Sequence, residues 1–162
     1  MTIRKAKLSD TKPIAEIYSH HIDTGESCMF TDPIHETEIR EMILNLKERE
    51  VLAVIELDND IAGWGILKMY SPRLGYRFTC ENSIFLNPNS LGKGIGKELM
   101  SWLMVEAKSL NFRHIVAKIL CRNESSILFH EKFGYTTVGI QKEIGFLNDQ
   151  WEDVVIMQKL IK

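Results

Sequence analysis

The sequence predicts a mixed α/β sandwich in one domain, and three observations support that prediction. Strand and helix patterns follow one another in the order β-α-α-β-β-β-α-β-α-β-β. The 162 residues suffice for a hydrophobic core, and no repeat, low-complexity segment or linker divides residues 1–162. The composition, with 44% hydrophobic and 26% charged residues, is typical of a globular protein.

The first half of the chain alternates between strand and helix patterns. We expect a strand from Thr2 to Lys7, followed by a helix that Ser9 and Asp10 cap. The loop Thr24 to Pro33, with Phe30 in its middle, leads to a second helix. The apolar face of the first helix is predicted at Ile14, Ile17, Tyr18 and His21, and that of the second at Ile39, Met42, Ile43 and Leu46. A hairpin follows, with strands from Val51 to Leu57 and from Ile61 to Tyr70.

The second half of the chain begins with a long strand, predicted from Tyr76 to Leu86, that leads into a glycine-rich turn. An amphipathic helix follows the turn, because apolar residues recur there at helical spacing. Asn123 is a natural cap for the next helix, which Gly134 ends. The remaining strands are predicted at His114 to Leu120, Tyr135 to Gln141 and Gln150 to Leu160.

The glycine-rich turn is the most informative stretch of the sequence and reads Leu91-Gly92-Lys93-Gly94-Ile95-Gly96-Lys97. Glycine has no Cβ, so the backbone can approach a ligand closely. The N–H groups that begin the following helix, with the positive end of its dipole, favour a phosphate or pyrophosphate. The turn therefore predicts a site for a phosphorylated cofactor.

Two familiar phosphate-binding motifs do not fit this turn. A P-loop needs Ser or Thr after its Gly-Lys pair, whereas Glu98 follows Lys97 here. A dinucleotide-binding fold needs the spacing GxGxxG and an acidic residue about 20 positions further on. This chain has the spacing GxGxG, and Asn111 to His114 stands where the acid belongs. Coenzyme A remains as the phosphorylated cofactor.

The turn resembles the pyrophosphate loop of the GCN5-related N-acetyltransferases (GNAT), with Gly94 and Gly96 at the two small positions and Leu91 where the family usually has Arg or Gln. The resemblance covers nearly the whole chain and is closest to the phosphinothricin and methionine sulfone/sulfoximine acetyltransferase branch. It implies a GNAT-type mixed central β-sheet flanked by helices. Further similar segments are Ile17 to His20, Phe30 to Pro33, Tyr76 to Leu86, His130 to Tyr135, Ile144 to Phe146, and Trp151.

The resemblance implies an acetyl-CoA-dependent N-acetyltransferase that acts on the α-amine of a small amino-acid-like compound. The amine would attack directly in a ternary complex, and the enzyme would be a homodimer. Two alternatives stay open: acetylation of peptide or protein N-termini, which calls for an open groove, and a module that senses coenzyme A without turnover.

The resemblance also implies which residues hold acetyl-CoA. The strand that precedes the turn splays from its neighbour and pairs with the pantetheine arm, while the turn cradles the pyrophosphate. Asn123 would reach the pantetheine, which is compatible with a helix cap, and Lys132 is either near the cofactor or a surface lysine. The implied cofactor-binding residues are Ile84, Phe85, Leu86, Gly92, Lys93, Gly94, Ile95, Gly96, Lys97, Asn123 and Lys132.

Two residues are candidates for proton transfer. Glu81 lies on the cofactor strand and can accept the proton of the ammonium as general base; its alternative role is a structural ion pair. We expect Glu81→Gln to lower turnover at least about tenfold with little loss of acetyl-CoA binding. His130 occupies the region where relatives have a tyrosine that protonates the thiolate, and it either serves as that acid or packs.

The substrate pocket is assigned by resemblance to Phe30, Leu74, Gly75, Tyr76 and Arg77. An arginine pairs bidentately with a carboxylate, so a substrate carboxylate favours such a partner. Arg73 and Arg77 both qualify, and both are equally consistent with surface charges.

Composition excludes several other classes of protein. The net charge of −2 gives no reason to expect nucleic acid or an anionic membrane as partner, and no apolar run is long enough to span a bilayer. Cys28, Cys80 and Cys121 form no CxxC pair, which favours reduced thiols in a cytoplasm. No metal is expected, since no His/Cys/carboxylate group has zinc spacing and packing or a pocket rim explains His20 and His21.

Overall fold

The computed structural model describes residues 1–25 and 29–162 and contains a seven-stranded sheet with helices on both faces. The strands are Thr2–Lys5 (β1), Val51–Leu57 (β2), Asp60–Met69 (β3), Thr79–Leu86 (β4), His114–Leu120 (β5), Thr136–Leu147 (β6) and Gln150–Leu160 (β7). The α-helices are Thr11–Thr24 (α1), Glu36–Leu44 (α2), Ile95–Ser109 (α3) and Glu124–Lys132 (α4). This succession confirms the predicted order of elements.

The strands are arranged in the order β1-β2-β3-β4-β5-β7-β6. Neighbouring strands are antiparallel except β4 and β5, which run parallel in the middle of the sheet. A parallel pair needs a crossover connection, and α3 supplies it between these two strands.

Two hydrophobic cores cover the two faces of the sheet. On one face α1 and α2 pack against β2, β3 and β4, with Ile14, Ile39 and Trp64 fully buried. On the other face α3 packs against the same strands and against β5, with Leu99 and Leu103 fully buried. Alternate residues of β4 point to opposite cores, as a strand periodicity of two requires.

The predicted β2–β3 hairpin is present and turns at Asp58 and Asn59. Both residues have positive φ, at 53° and 72°. A two-residue loop with two positive φ values matches the right-handed twist of the flanking strands, and Asp and Asn tolerate that conformation. The turn chemistry of the sequence is sufficient to place this hairpin.

The first strand and the first helix differ from their predicted ends. β1 stops at Lys5, two residues short of the predicted end, and Leu8–Asp10 forms a 3₁₀ turn. Asp10 makes no side-chain cap on α1. Its carboxylate instead accepts the backbone N–H of Lys7 and the guanidinium of Arg4, both at 2.7 Å. The Arg4 guanidinium holds the pKa of Asp10 below its usual range, so the carboxylate closes the turn as a charged group.

The strands β4 and β6 also differ from the predicted bounds. β4 begins at Thr79 because Leu74–Tyr76 forms a 3₁₀ turn, in which the Arg77 guanidinium donates to the carbonyl of Leu74 at 3.0 Å. β6 continues to Leu147, beyond the predicted end at Gln141. An irregularity between Gln141 and Gly145 makes the extension possible, because Asp153 on β7 accepts the backbone N–H of Glu143 at 2.8 Å there.

Candidate active site

β4 and β5 separate partway along their length. They pair at Thr79 with His114, at Cys80 with Ile115 and at Glu81 with Val116. In the described chain no pairing between them follows, although β4 continues to Leu86 and β5 to Leu120. On its other side β4 stays paired with β3 as far as Leu86. The segment of β4 after Glu81 therefore has backbone groups on its β5 side that no strand covers, which agrees with the splay that the resemblance implies.

A cavity of about 290 Å³ opens along this split, and we call it the cofactor cavity. The side chain of His21 on α1 closes one end, with Nε2 2.9 Å from the carbonyl oxygen of Leu86, to which it donates. Its lining consists of His21, Asn82, Ser83, Ile84, Phe85, Leu86, Leu91, Gly96, Ala117, Lys118, Ile119, Asn123, Ser125, Ser126, Phe129 and His130.

The glycine-rich turn borders the cofactor cavity, with Leu91 and Gly96 in the lining. Gly92 and Gly94 have φ of +77° and +76°, a conformation that side chains disfavour, and a Cβ at either position would meet no protein atom within 4 Å. Gly94 is the N-cap of α3, so the N–H groups of the first helical turn follow it directly. The turn therefore presents open backbone and a helix N-terminus, which fit a pyrophosphate.

A buried polar network forms the wall of the cofactor cavity beside α4. The Tyr135 hydroxyl donates to Oδ1 of Asn82 at 3.0 Å, and the Asn82 amide nitrogen lies 3.5 Å from Nε2 of His130. Nδ1 of His130 lies 2.7 Å from the carbonyl oxygen of Ser126 and donates to it. Burial lowers the pKa of His130, so the imidazole is neutral, with its proton on Nδ1.

A second cavity, of about 660 Å³, lies on the opposite face of β4 and β5. We call it the acceptor cavity. Aromatic rings form one side: Phe30 packs edge-on against Tyr18 with ring centroids 5.4 Å apart, and Tyr18 packs against Phe85 at 4.6 Å. Its lining consists of Tyr18, Met29, Phe30, Tyr70, Glu81, Ser83, Phe85, Val116, Lys118, Leu120, Gln141, Ile144, Val154 and Ile156.

The two cavities share Ser83, Phe85 and Lys118 in their linings. Glu81 lines the acceptor cavity at the point where the strands separate, and its carboxylate lies 2.9 Å from Nζ of Lys118. The two side chains retain 31% and 48% of their exposure, so neither charge is removed from water. The arrangement places a carboxylate beside the passage between the cavities, where it can accept a proton from an amine.

The predicted cofactor residues fall into three groups. Ile84, Phe85, Leu86, Gly96 and Asn123 line the cofactor cavity. A second group stands on or beside the exposed turn: Gly92, Lys93, Gly94 and Lys97. The third group lies elsewhere, since the Ile95 side chain is buried in the core and exposed Lys132 is outside the cavity lining.

Asn123 has the geometry of the predicted helix cap. Its Oδ1 accepts the backbone N–H of Ser126 at 3.1 Å and the Ser125 hydroxyl at 3.0 Å. The same residue lines the cofactor cavity, so its amide nitrogen is available to a ligand while the oxygen holds the helix start.

Of the predicted substrate residues, Phe30 lines the acceptor cavity. Leu74, Gly75, Tyr76 and Arg77 stand on an exposed turn outside both linings. Tyr76 packs against Tyr70, which does line the acceptor cavity, with ring centroids 5.4 Å apart. The Arg77 guanidinium lies 4.5 Å over the Phe78 ring.

The two described cysteines, Cys80 and Cys121, lie outside the linings of both cavities. Cys80 is fully buried in the core, and burial raises the pKa of its thiol to about 12. Cys121 is half-buried, burial raises its pKa as well, and neither residue lines a cavity. Cys28 lies outside the described residues. Within residues 1–25 and 29–162, no group of His, Cys, Asp or Glu has metal-binding geometry.

None of the helices in the described ranges has the length and apolar character needed to cross a membrane. His21 lies at the rim of the cofactor cavity, as expected, and His20 packs edge-on against it with ring centroids 5.8 Å apart.

Sequence reasoning missed much of β5 and α4 in the site. Ala117, Lys118 and Ile119 looked like ordinary positions of a core strand, and they line the cofactor cavity because β5 turns away from β4. The one available signal was Lys118, a charged residue inside an otherwise apolar strand.

Comparisons with known proteins agree with this geometry. Residues 3–156 match the model of the family described as acetyltransferase (GNAT) domain. The chain is 30% identical over 160 residues to the phosphinothricin N-acetyltransferase of Alcaligenes faecalis, covering 98% of this chain and 81% of that one. It is 30% identical over 162 residues to the L-methionine sulfoximine/L-methionine sulfone acetyltransferase of Salmonella typhimurium, covering 98% and 93%.

Among solved structures, a GNAT superfamily phosphinothricin acetyltransferase from Sinorhizobium meliloti, in complex with acetyl-CoA, superposes with a TM-score of 0.92. It is 31% identical, and the match covers 99% of this chain and 88% of that one. The similarity of fold therefore extends over the whole sheet.

Proposed function

The chain belongs to the GNAT acetyltransferase family, and we propose that this acetyl-CoA-dependent N-acetyltransferase acetylates the α-amine of a small amino-acid-like compound. The proposed acceptors are of the phosphinothricin, methionine sulfoximine or methionine sulfone type, the compounds named for its relatives. The observation that carries the proposal is the meeting of the two cavities at Ser83, Phe85 and Lys118.

The cofactor cavity fits acetyl-CoA, which supplies the activated acetyl group when bound. The open backbone of β4 from Asn82 to Leu86 suits an extended amide-containing arm, which can add to it as a strand would. The positive-φ turn at Gly92 and Gly94 suits the pyrophosphate. Lys93 and Lys97, both exposed, place positive charge beside that turn.

Glu81 is the proposed general base. Most α-amines are protonated at neutral pH and must lose a proton before they attack a carbonyl. The Glu81 carboxylate lines the acceptor cavity at the split between the strands, so an amine entering from that side meets it before the cofactor cavity. Glu81 also attracts the ammonium form of the acceptor, which concentrates the substrate at the reacting position.

For His130, the sequence left proton donation and packing open, and we propose the packing role. The neutral ring has one proton, on Nδ1, and that proton is bonded to the carbonyl of Ser126. Its Nε2 faces the amide of Asn82 and acts as an acceptor. His130 therefore holds Asn82 and the cavity wall in place.

We further propose direct attack in a ternary complex. The two cavities lie on opposite faces of β4 and β5 and share one border, so both substrates can be bound together. A covalent cysteine intermediate is not supported at Cys80, whose thiol is buried and has a raised pKa, or at Cys121, which lies outside both linings.

The test of this function is release of thiol from acetyl-CoA against a panel of amines. The panel contains phosphinothricin, methionine sulfoximine, methionine sulfone, free amino acids, polyamines, an aminoglycoside and short peptides. Saturable turnover with the amino-acid analogues supports the proposal. Turnover with peptides alone indicates an N-terminal acetyltransferase, and tight acetyl-CoA binding without turnover of any amine indicates a sensing module.

We also propose a cytoplasmic homodimer. The free thiols of Cys80 and Cys121 suit a reducing compartment. The edge strand β6 and its neighbour β7 expose apolar side chains: Val138, Ile140, Phe146 and Trp151 are each more than half exposed. Such an edge favours association with another chain. Light scattering distinguishes a dimer from a monomer of 18.7 kDa, and a monomer at micromolar concentration would contradict the proposal.

A further inference from the structure

Glu81 and Lys118 form an ion pair across the two central strands, at the point where the pairing of these strands ends. Lys118 stands two positions after Val116, the residue that pairs with Glu81. Nζ of Lys118 lies 2.9 Å from Oε2 of Glu81 and 5.9 Å from the centroid of the Tyr70 ring. The pair therefore bridges the mouth of the split where the acceptor must pass.

Charge in the acceptor cavity is concentrated in this pair. Among the described residues of the lining, Lys118 has the only positive charge and Glu81 the only negative charge. The remaining polar side chains there are neutral, and most of the wall is aliphatic or aromatic. An acceptor with two opposite charges close together meets one matching pair of charges and otherwise an apolar surface.

Separating the two side chains of the ion pair requires little free energy. With exposures of 31% and 48%, both side chains remain in contact with water, and ion pairs between exposed groups contribute little to stability. A zwitterionic acceptor replaces each partner with an equivalent charge, so neither Glu81 nor Lys118 is left unpaired. Partner exchange of this kind costs little and places the bound acceptor in one orientation.

We propose that Lys118 binds the α-carboxylate of the acceptor while Glu81 receives its α-ammonium, the resident ion pair opening to admit a zwitterion. The proposal rests on the proposed function and deepens it, because it names the charged group that distinguishes an α-amino acid from a simple amine. It makes Lys118 a specificity-determining residue.

The arginines considered from the sequence are less suited to this role. The Arg77 guanidinium donates to the Leu74 carbonyl and lies over the Phe78 ring. Arg77 and Arg73 both lie outside the lining of the acceptor cavity, whereas Lys118 lines both cavities. A carboxylate held by Lys118 places the α-amine, one carbon away, beside Glu81.

The remaining residues of the acceptor cavity determine which acceptor side chains fit. Beneath the ion pair, Val116, Leu120, Val154 and Ile156 form an apolar floor that a long side chain of low charge can cover. A free amino acid with an unbranched or aromatic side chain fits these walls better than a polyamine, which has no carboxylate for Lys118.

The experiment compares two acceptors that differ in one charge, L-methionine sulfone and its α-carboxamide, in the full-length enzyme. The variants are Lys118→Met, which keeps the length of the side chain without its charge, and Lys118→Arg, which keeps the charge. Lys142→Met is the matched control, because Lys142 pairs with Asp153 at 2.7 Å outside both cavities.

We expect the wild-type enzyme to prefer the acid over the carboxamide about tenfold or more in kcat/KM, chiefly through KM. Lys118→Met abolishes that preference while its turnover of the carboxamide shows that the variant is folded and binds acetyl-CoA. Lys118→Arg restores most of the preference, and Lys142→Met retains the wild-type value.

An unchanged preference in Lys118→Met, or no preference in the wild type, overturns the role assigned to Lys118 but leaves the proposed function standing. Absence of turnover by the wild type with every amine of the panel overturns the proposed function, and this inference with it. The two failures are therefore distinguishable by the activity of the wild-type enzyme.

Discussion

The two cavities on either side of β4 are built in different ways. The cofactor cavity takes much of its wall from one stretch of chain, residues 82–96, and the rest from β5, from α4 with its N-cap, and from His21. The acceptor cavity collects side chains from α1, the loop after it, β4, β5, β6 and β7. A site for a constant ligand is thus encoded locally, whereas a site for a variable ligand is assembled from distant segments.

The polar groups beside the two cavities also differ, in how firmly they are held in place. Beside the cofactor cavity, Asn82, His130 and Tyr135 are buried and bonded to one another, so their positions are held by the core. Beside the acceptor cavity, Glu81 and Lys118 are partly exposed and can exchange partners. Buried networks are costly to disturb and exposed ion pairs are not, so the first wall is rigid and the second adaptable.

Replacement of Glu81 by Gln has the largest expected effect and tests the chemical role of the adaptable wall. We expect kcat to fall about 100-fold, because the amide cannot accept the proton of the ammonium. Acetyl-CoA binding, measured by calorimetry, stays within about twofold because Glu81 lies outside the lining of the cofactor cavity. A kcat near that of the wild type removes Glu81 from the mechanism.

Asn82→Ala tests the rigidity of the cofactor wall. The substitution leaves the Tyr135 hydroxyl and Nε2 of His130 buried without their partner. We expect the free energy of unfolding in urea to fall by about 2 kcal/mol. Ser83→Ala, one residue along the same strand and on the opposite face, is the control and changes stability by less than about 0.5 kcal/mol. Equal losses in both variants contradict a rigid network.

Gly94→Ala tests whether the turn binds through its backbone conformation. Gly94 has φ of +76°, which costs an alanine about 1 kcal/mol, although a Cβ there would meet no protein atom. We expect the Kd for acetyl-CoA to rise about fivefold, with the KM for the acceptor unchanged. Gly75→Ala is the control, since a Cβ there also meets nothing and no positive φ is imposed. Unaltered cofactor affinity in Gly94→Ala is evidence against the cradle.

The smallest expected effect concerns pH and the buried imidazole. Burial lowers the pKa of His130 below its unfolded value, so on acidification the unfolded chain binds this proton first. Stability from this residue is therefore complete above the unfolded pKa of about 6.5 and is lost as the pH falls below it. Between pH 7.5 and 5.5 we expect the wild type to lose more stability than His130→Asn, measured by urea unfolding. Parallel losses indicate an imidazole that is protonated equally in both states.

Much of the fold was predictable because its signals are local. The β2–β3 turn followed from Asp58 and Asn59, and the start of α3 followed from the glycines before it. The predicted bounds of strands and helices were wrong where a residue distant in sequence determines the end of an element. Asp153 on β7 supports the irregularity that lengthens β6, and Arg4 draws Asp10 away from the helix it was expected to cap.

The candidate site shows the same distinction between local signals and contacts made by distant residues. Ile84 to Leu86 and Gly96, which were predicted to hold the cofactor, lie in one continuous motif and line the cofactor cavity. The residues predicted to bind the acceptor are divided: Phe30 lines the acceptor cavity, while Leu74 to Arg77 stand outside its lining. A contiguous stretch in the 3₁₀ turn before β4 cannot indicate which of its side chains reaches a cavity formed by other strands.

The sequence by itself determined the order of strands and helices and the glycine turn that suits a phosphorylated cofactor, because periodicity and turn chemistry depend on neighbouring residues. Only the tertiary structure decided that β4 and β5 part after Glu81 and Val116, and that Lys118 then faces Glu81 across the gap. Such a juxtaposition depends on the packing of α3 and on the register between strands far apart in the chain. No local pattern records either of them.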